Sequence, residues 1–340
     1  MISLLRSLLA AITGGRQAQP ADSDEVLALA RHHRLTPLLS LADLRGWAAS
    51  LVETLRRDRL LTTMRNQMLA QAAEECAAAL TAAGVPVVLL KGLAYNVTIY
   101  ADPGLRPTAD VDLLVPDGAR RTAFQTLDRL GFEPRAAAPG FDDADYHEVA
   151  WFRNGIDIDL HLALAPLARC HIDYRDVWGS VRDATIGSTR AATLHPKHAA
   201  VFHTLHMAID HFDVPAVYLV DLIRLLPTVD ERASAEAVAR LWGCWRPFAT
   251  AAALAAAFLP HWDRPSDAAP VAGFSARVVD GYGSRARVPR PEQLVRKLMH
   301  FDTRRDAVRY LAVQGRRNIR EIYERRIRRR SPRQRLALER

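Results

Sequence analysis

The chain has 340 residues, 49% of them apolar, which is enough for a sizeable core and excludes general disorder. Its net charge of +8 suggests a nucleic-acid binder until it is located: from Phe301 to Arg340 fourteen Arg face five acidic residues, a surplus of nine, leaving about −1 elsewhere. Three scattered cysteines (Cys76, Cys170, Cys244) exclude a disulfide framework or zinc knuckle, and no run reaches the roughly 18 apolar residues of a membrane span, so a cytoplasmic protein is expected.

The opening MISLLRSLLAAITGG is an apolar run broken by Arg6, and it reads as an amphipathic first helix rather than a signal peptide. Residues from Ser23 to Ala83 are helix-rich, with VLALARHHRLTPLL followed by a long Ala-Leu run from Leu51 that stops at Gly84. His32 and His33 read as packing or surface residues, and Arg56, Arg59 and Arg65 as a charged outer face. Val85 to Leu90 is strand-like and breaks at Lys91-Gly92. Leu93, Val97 and Tyr100 then recur on one helical face until Pro103-Gly104. Gly92 would let backbone approach a ligand, and the helix that starts there would aim free N–H groups at an anion. Lys91 is one of three lysines in the chain, so an ammonium at that turn suits a phosphate, the alternative being an incidental solvated side chain.

In TADVDLLV, residues two apart on a strand share a face, so Asp110 and Asp112 project together while Val111, Leu113 and Val115 face the other way. Two carboxylates side by side repel unless a cation lies between them. The alternative is an edge strand with its polar face in water. Ala119 to Leu130 reads as a helix, Gly131-Phe132 as a turn into a short strand, and Ala136 to Asp145 as an Ala/Pro/Asp loop. His147–Arg153 and Ile156–Leu162 are then two strands joined at Asn154-Gly155, a hairpin signal. The second places Asp157, Asp159 and His161 on one face. After Pro166 come a connector with a strand pair around TIGSTRAATL and then helices. In HPKHAAVFHTLHMAIDHF, His203, His206 and Asp210 share a helical face, a spacing open to a metal or to a supporting role behind the acidic site. Ala216 to Leu226 reads as a core helix carrying Asp221 and Arg224. The Arg304 to Arg335 stretch is an Arg-faced amphipathic helix, open to solvent, to an anionic surface such as a membrane or nucleic acid, or to an acidic partner protein.

A strand ending in a glycine turn, a helix, D-x-D on the next strand and an acid on a later strand together resemble the DNA polymerase beta-type nucleotidyltransferase superfamily. More closely, KGLAYNVTIYADPGLRPTADVDLLV followed by IDLH is similar to a bacterial group described as nucleotidyltransferase family proteins. The similarity spans Val85 to His161, with weaker echoes in ARHHRLTPLL and the His-rich helix. One departure stands at the turn, where Gly92 is followed by Leu93 rather than Gly or Ser. The resemblance implies an α+β fold, a minimal nucleotidyltransferase mixed β-sheet core (85–165) flanked by helical N- and C-terminal regions (1–84 and 166–300), with the Arg-rich tail at 301–340. It implies Asp110, Asp112 and Asp159 as catalytic residues and ligands of Mg²⁺ or Mn²⁺, and Lys91, Gly92, Arg106 and His161 around the nucleotide. Between Asp157 and Asp159 the match to IDLH favours Asp159. The implied reaction moves a nucleoside monophosphate from an NTP, ATP foremost, to an unidentified small molecule, peptide or protein, releasing pyrophosphate. The alternative is a non-catalytic nucleotide or nucleic-acid binding protein acting as an accessory factor.

Overall fold

The computed structural model describes residues 1–14, 22–135, 147–166, 169–259, 262, 271, 273, 276–279, 290–313 and 315–316. The expected loop at 136–145 and the tail beyond 316 therefore lie outside the described residues, while residues 304–313 are helical.

Helix α1 (Ile2–Gly14) buries Leu5, Leu8 and Leu9, one face at helical spacing. Helix α2 (Ser23–His32) is capped by Asp22, whose carboxylate accepts from the Glu25 N–H, and a short α3 (Thr36–Leu39) follows with Pro37 in its first turn. The Ala-Leu run forms α4 (Ala49–Ala82), 34 residues whose inner face carries Leu69, Ala73, Cys76, Ala77 and Leu80. It stops where Gly84 takes a φ of 75° and the Val85 N–H reaches back to the Leu80 carbonyl, closing the last turn.

Strand β1 (Val88–Leu90) leads into α5 (Lys91–Tyr95), which continues as a π-helical turn (Asn96–Tyr100). This corrects the single helical face expected here. The wider turn keeps Leu93 and Tyr100 buried but rotates Val97 outward to 39% exposure. Next come β2 (Val111–Leu114), α6 (Arg120–Arg129), β3 (Glu133–Pro134), and the hairpin β4 (Glu148–Arg153) and β5 (Ile156–His161). Asn154 and Gly155 both have positive φ, 49° and 80°, as a two-residue hairpin turn of this hand requires.

Helix α7 (Tyr174–Gly179) precedes a second hairpin, β6 (Arg182–Ile186) and β7 (Thr189–Thr193). The chain closes with α8 (Pro196–Ile209), α9 (Val217–Leu225), α10 (Val229–Leu241), α11 (Trp245–Phe258) and α12 (Arg290–Met299). The sheet order is β3-β4-β5-β2-β1-β7-β6, so the strand pair expected around TIGSTRAATL forms and extends the sheet past residue 165. Strand β2 pairs antiparallel with β1 and parallel with β5, and β7 pairs parallel with β1. The C-terminal ends of β1 and β7 and the N-terminal ends of β2 and β5 thus share one edge of the sheet. Helix α4 braces the sheet and α8 lies over it. One contiguous core joins the N-terminal helices, the sheet and helices α8 to α11.

Candidate active site

The turn from β1 to α5 is where the site begins. Lys91 takes a φ of 40°, a left-handed conformation costly for a residue with a side chain, so the strained position is the lysine and not the glycine beside it. The lack of a side chain at Gly92 serves a different purpose from the one expected. A Cβ there would run into the Thr108 side chain, with its hydroxyl 3.0 Å and Arg106 Nη1 3.1 Å away, so Gly92 lets α5 pack directly against the segment that precedes β2.

That segment is held by Asn66 of α4, which is 1% exposed. Its Nδ2 donates to the Pro103 and Arg106 carbonyls at 2.5 and 2.8 Å, and its Oδ1 accepts from the Thr108 N–H at 3.2 Å. Arg65, also on α4, donates to the Ala109 and Gly155 carbonyls at 3.2 Å, tying the approach to Asp110 to the β4–β5 turn. Arg106 corrects an expectation. Rather than facing phosphate, its buried guanidinium pairs with Asp221 of α9 at 2.9 Å and lies 5.6 and 5.7 Å from the Tyr95 and Tyr218 rings. Tyr100 Oη donates to the same carboxylate at 2.7 Å. A buried pair with this many hydrogen bonds is a structural clamp between the loop and α9.

Parallel pairing of β2 and β5 sets Asp112 directly opposite Asp159. Asp110, just before β2, is near enough to Asp112 and Asp159 for the charges of the three predicted acids to act on one another. Asp112 is 3% exposed. Its Oδ1 accepts from Lys91 Nζ at 2.7 Å and lies 3.0 Å from His161 Nε2. Burial alone would raise this carboxyl, but the ammonium and the imidazole outweigh it and hold it well below the usual range. Burial likewise opposes the charge on Lys91, and Asp112 more than restores it, so the ammonium is raised.

The other two acids have no such partner. Asp110 is raised by burial and then by Asp112. Asp159 is pushed up to about 7 by burial and then by Asp112, Asp110 and Glu148. The site therefore holds more negative charge than its own cation neutralises. Asp157, the rival acid on the strand, is paired with Arg135, whose guanidinium also covers Phe152. His161 presents its other nitrogen to Glu148 at 3.4 Å and its edge to Phe202 of α8 at 5.9 Å.

Arg34 and Glu148 act on the acids without having been singled out from the sequence. Arg34, in the turn after α2, has a φ of 55°, is exposed, and acts electrostatically on both Asp110 and Tyr218. Its neighbour His33 fixes that turn: the His33 carbonyl accepts from the Val217 N–H and His33 Nδ1 from the Ala216 N–H, both at 3.2 Å. Glu148 enters from β4. From α8, His206 stacks on Tyr218 at 6.0 Å; burial and then Lys91 lower its imidazole well below its ordinary value. His203 is a core residue between the Tyr95 hydroxyl and the Tyr218 carbonyl, lowered to about 4 chiefly by burial. Among the described residues no three His, Cys, Asp or Glu side chains already surround one point in a ligating arrangement, and this holds for Asp110, Asp112 and Asp159 as they stand as well as for His203, His206 and Asp210.

Paired acids on adjacent strand ends beside a strand–turn–helix, with helices on the flanks, define the nucleotidyltransferase class. A family model described as "Uncharacterised nucleotidyltransferase" matches residues 19–260, and the chain belongs to that family. It is a transferase of the nucleotidyl type. No curated protein matches it. Among solved structures, the solution structure of the antibiotic-resistance factor ANT(2'')-Ia is 13% identical, with 52% of this chain and 92% of that one covered at a TM-score of 0.38. The crystal structure of ANT(2")-Ia in complex with adenylyl-2"-tobramycin is 12% identical, covering 50% and 97% at 0.37. An antigenic nucleotidyltransferase-like protein from Paracoccidioides brasiliensis is 15% identical, covering 53% and 87% at 0.30. Likeness at this level adds nothing to the family match.

Proposed function

We propose that the protein binds an NTP as a divalent-metal complex at Asp110, Asp112 and Asp159 and moves its nucleoside monophosphate to an acceptor, releasing pyrophosphate. The observation that carries this reading is the pairing of Asp112 with Asp159 across β2 and β5, with Asp110 two residues before Asp112. The residues suit Mg²⁺ or Mn²⁺. All three offer hard carboxylate oxygens, and the burial and mutual repulsion that raise Asp110 and Asp159 are what a divalent cation would relieve. When bound, such ions neutralise phosphate charge and acidify the attacking hydroxyl.

The chain's own residues supply the rest. Lys91 presents an ammonium at the floor of the site, and Arg34 a guanidinium from the wall, where planar paired donors suit phosphate oxygens. Asp159, raised by its neighbours, would take the acceptor's proton, and His161, 3.0 Å from Asp112 Oδ1, would hold that carboxylate in position. ATP is the expected donor.

The test is incubation of purified protein and host extract with each α-labelled NTP and Mg²⁺ or Mn²⁺. Label should enter one fraction with release of pyrophosphate, and both should vanish in Asp110→Asn and Asp112→Asn. NTP bound tightly by wild type with no label transferred from any nucleotide would refute the transfer. Arg34→Ala should keep the fold and weaken NTP binding about tenfold, the scale of losing one charge-assisted contact; unchanged binding would remove Arg34 from the site.

A further inference from the structure

Beside the acidic cluster lies a partly open cavity of about 250 Å³ that the residues discussed so far do not fill. It sits at the same edge of the sheet. Strands β1 and β7 run parallel with Leu89 opposite Thr193, so Leu90-Lys91 and Leu194 leave the sheet side by side and form one wall. On its other flank β1 pairs Leu90 with Asp112. The end of β1 is therefore a partition: the carboxylates stand on one side and the cavity on the other, and Lys91 belongs to both, lining the cavity while its Nζ lies 2.7 Å from Asp112. Phe202 of α8 seals the seam. It lines the cavity, lies 5.6 Å from Lys91 Nζ and packs on His161.

The lining is chiefly hydrocarbon: Leu89, Leu194, Phe202 and Leu225, with Ala94 and Ala199 on the two facing helices. Larger side chains at the two alanines would close the space, and the ordinary tendency of a core is to do so. The walls also carry the Tyr95, Thr98 and Thr193 hydroxyls, but Tyr95 Oη already faces His203 Nδ1 and Thr98 Oγ1 donates to the Ala94 carbonyl, so a polyhydroxylated occupant would be stripped of water with little replacement. At the rim stand Arg182 and Asp183, both exposed. Arg182 Nη2 lies 2.9 Å from His195 Nε2, a neutralising carboxylate not being its partner there, while Asp183 leans on Arg190 at 3.4 Å. With Asp183 paired to Arg190, the rim keeps one net positive charge at Arg182, and over a chiefly apolar chamber this suits a small molecule with a compact apolar body and an anionic head.

We infer that this cavity is the acceptor pocket, and that the acceptor is a small amphiphilic anion whose aromatic or branched aliphatic body enters between β7, α5 and α8 while its head meets Arg182. The inference rests on the transfer reading above. With the acceptor's body in the cavity, the group to be modified would reach the nucleotide between the Lys91 and Phe202 side chains, which must part to admit it.

The test uses ¹⁹F NMR on the full chain with 4-fluorophenylacetate as probe, 4-fluorotoluene to isolate the head-group contact, and 3-deoxy-3-fluoroglucose as the polyhydroxylated comparison. The phenylacetate should bind one to one, the toluene more weakly, and the sugar not at all. Ala199→Phe and Leu225→Trp, which fill the chamber from different helices, should each weaken phenylacetate binding roughly tenfold or more, while Arg182→Ala should weaken it several-fold and leave the toluene unaffected. Fluorescent ATP with Mg²⁺ should bind wild type and all three variants alike, which shows that each variant has folded. Probe and nucleotide should bind together, and the saturating probe should reduce label transfer in extract. Equal probe binding by wild type and both filled variants would overturn the pocket. Mutual exclusion of probe and nucleotide would make it a base site and overturn the acceptor assignment. Failure of wild type to bind any NTP sinks the transfer reading instead, and the probe titration separates the two failures because it needs no nucleotide.

Discussion

Asp159 carries the electrostatic tension of the site. Its carboxyl is pushed up to about 7, first by burial and then by Asp112, Asp110 and Glu148, whereas an aspartate in an unfolded chain titrates near ~3.9. The folded state therefore holds this proton more tightly than the unfolded state does. Stability from this group is fully present below about pH 4, falls as pH rises towards about 7, and is level above that. Asparagine cannot ionise and so escapes the loss. In chelator, Asp159→Asn should melt a few degrees above wild type near pH 8 and close to it near pH 5, a shift on the order of that produced by 1–2 kcal/mol in a chain of this length. The same variant should lose transfer. Thermal melts that show no pH-dependent gap would mean that the repulsion is relieved in some other way. Asp112 behaves oppositely, since Lys91 and His161 hold it ionised, so its contribution is lost only in strong acid.

At the scale of elements, the site depends on how closely α5 lies against the chain before β2. Gly92 faces Thr108, Thr108 is held by Asn66, and Arg106 is clamped to Asp221 on α9. A methyl group at Gly92 has nowhere to go unless Thr108 shrinks. Gly92→Ala should therefore destabilise the protein by about 1–3 kcal/mol, as overpacking does, and Thr108→Ala in the same chain should recover much of the loss. Urea titration of the two single variants and the double variant measures this coupling. Purely additive losses would show that Gly92 is needed for backbone freedom or ligand approach rather than for this contact. The π-helical turn at Asn96–Tyr100 belongs to the same unit: it places Tyr100 where its hydroxyl reaches Asp221.

For the whole molecule, the helical flanks and the sheet are one packing unit. The buried cluster includes Leu5 and Leu8 of α1, Leu69 and Cys76 of α4, Val111 and Leu113 of β2, Val201 and Leu205 of α8, and Leu254 of α11. Arg34 and His33 illustrate this, because the turn they form near the start of the chain is pinned to the start of α9, where His33 Nδ1 accepts from the Ala216 N–H. Unfolding should accordingly be a single transition, with helix content by circular dichroism and tryptophan emission coinciding. Trp151 in β4 and Trp242 after α10 are both buried and report on the sheet and on the C-terminal helices. Two separated transitions would show that a flank folds independently. Among the described residues no helix is long and apolar enough to cross a membrane.

Much of this architecture was legible in residue order wherever a short window decides the outcome. The Asn154-Gly155 hairpin, the stop of α4 at Gly84, and the division of Asp110 and Asp112 from Val111, Leu113 and Val115 on opposite faces follow from turn chemistry and a period of two, and the family resemblance lay in the same residues. Only the tertiary structure decided who stands opposite whom. The pairing of Asp112 with Asp159, the seat of the Lys91 ammonium on Asp112, the burial of Arg106 against Asp221, the entry of Arg34 from α2 and the addition of β6 and β7 to the sheet all join residues far apart in sequence. The reason is that a local window sets a residue's periodicity but not its dielectric surroundings: a charged side chain finds its partner only when packing removes it from water, and that packing is a property of the whole core.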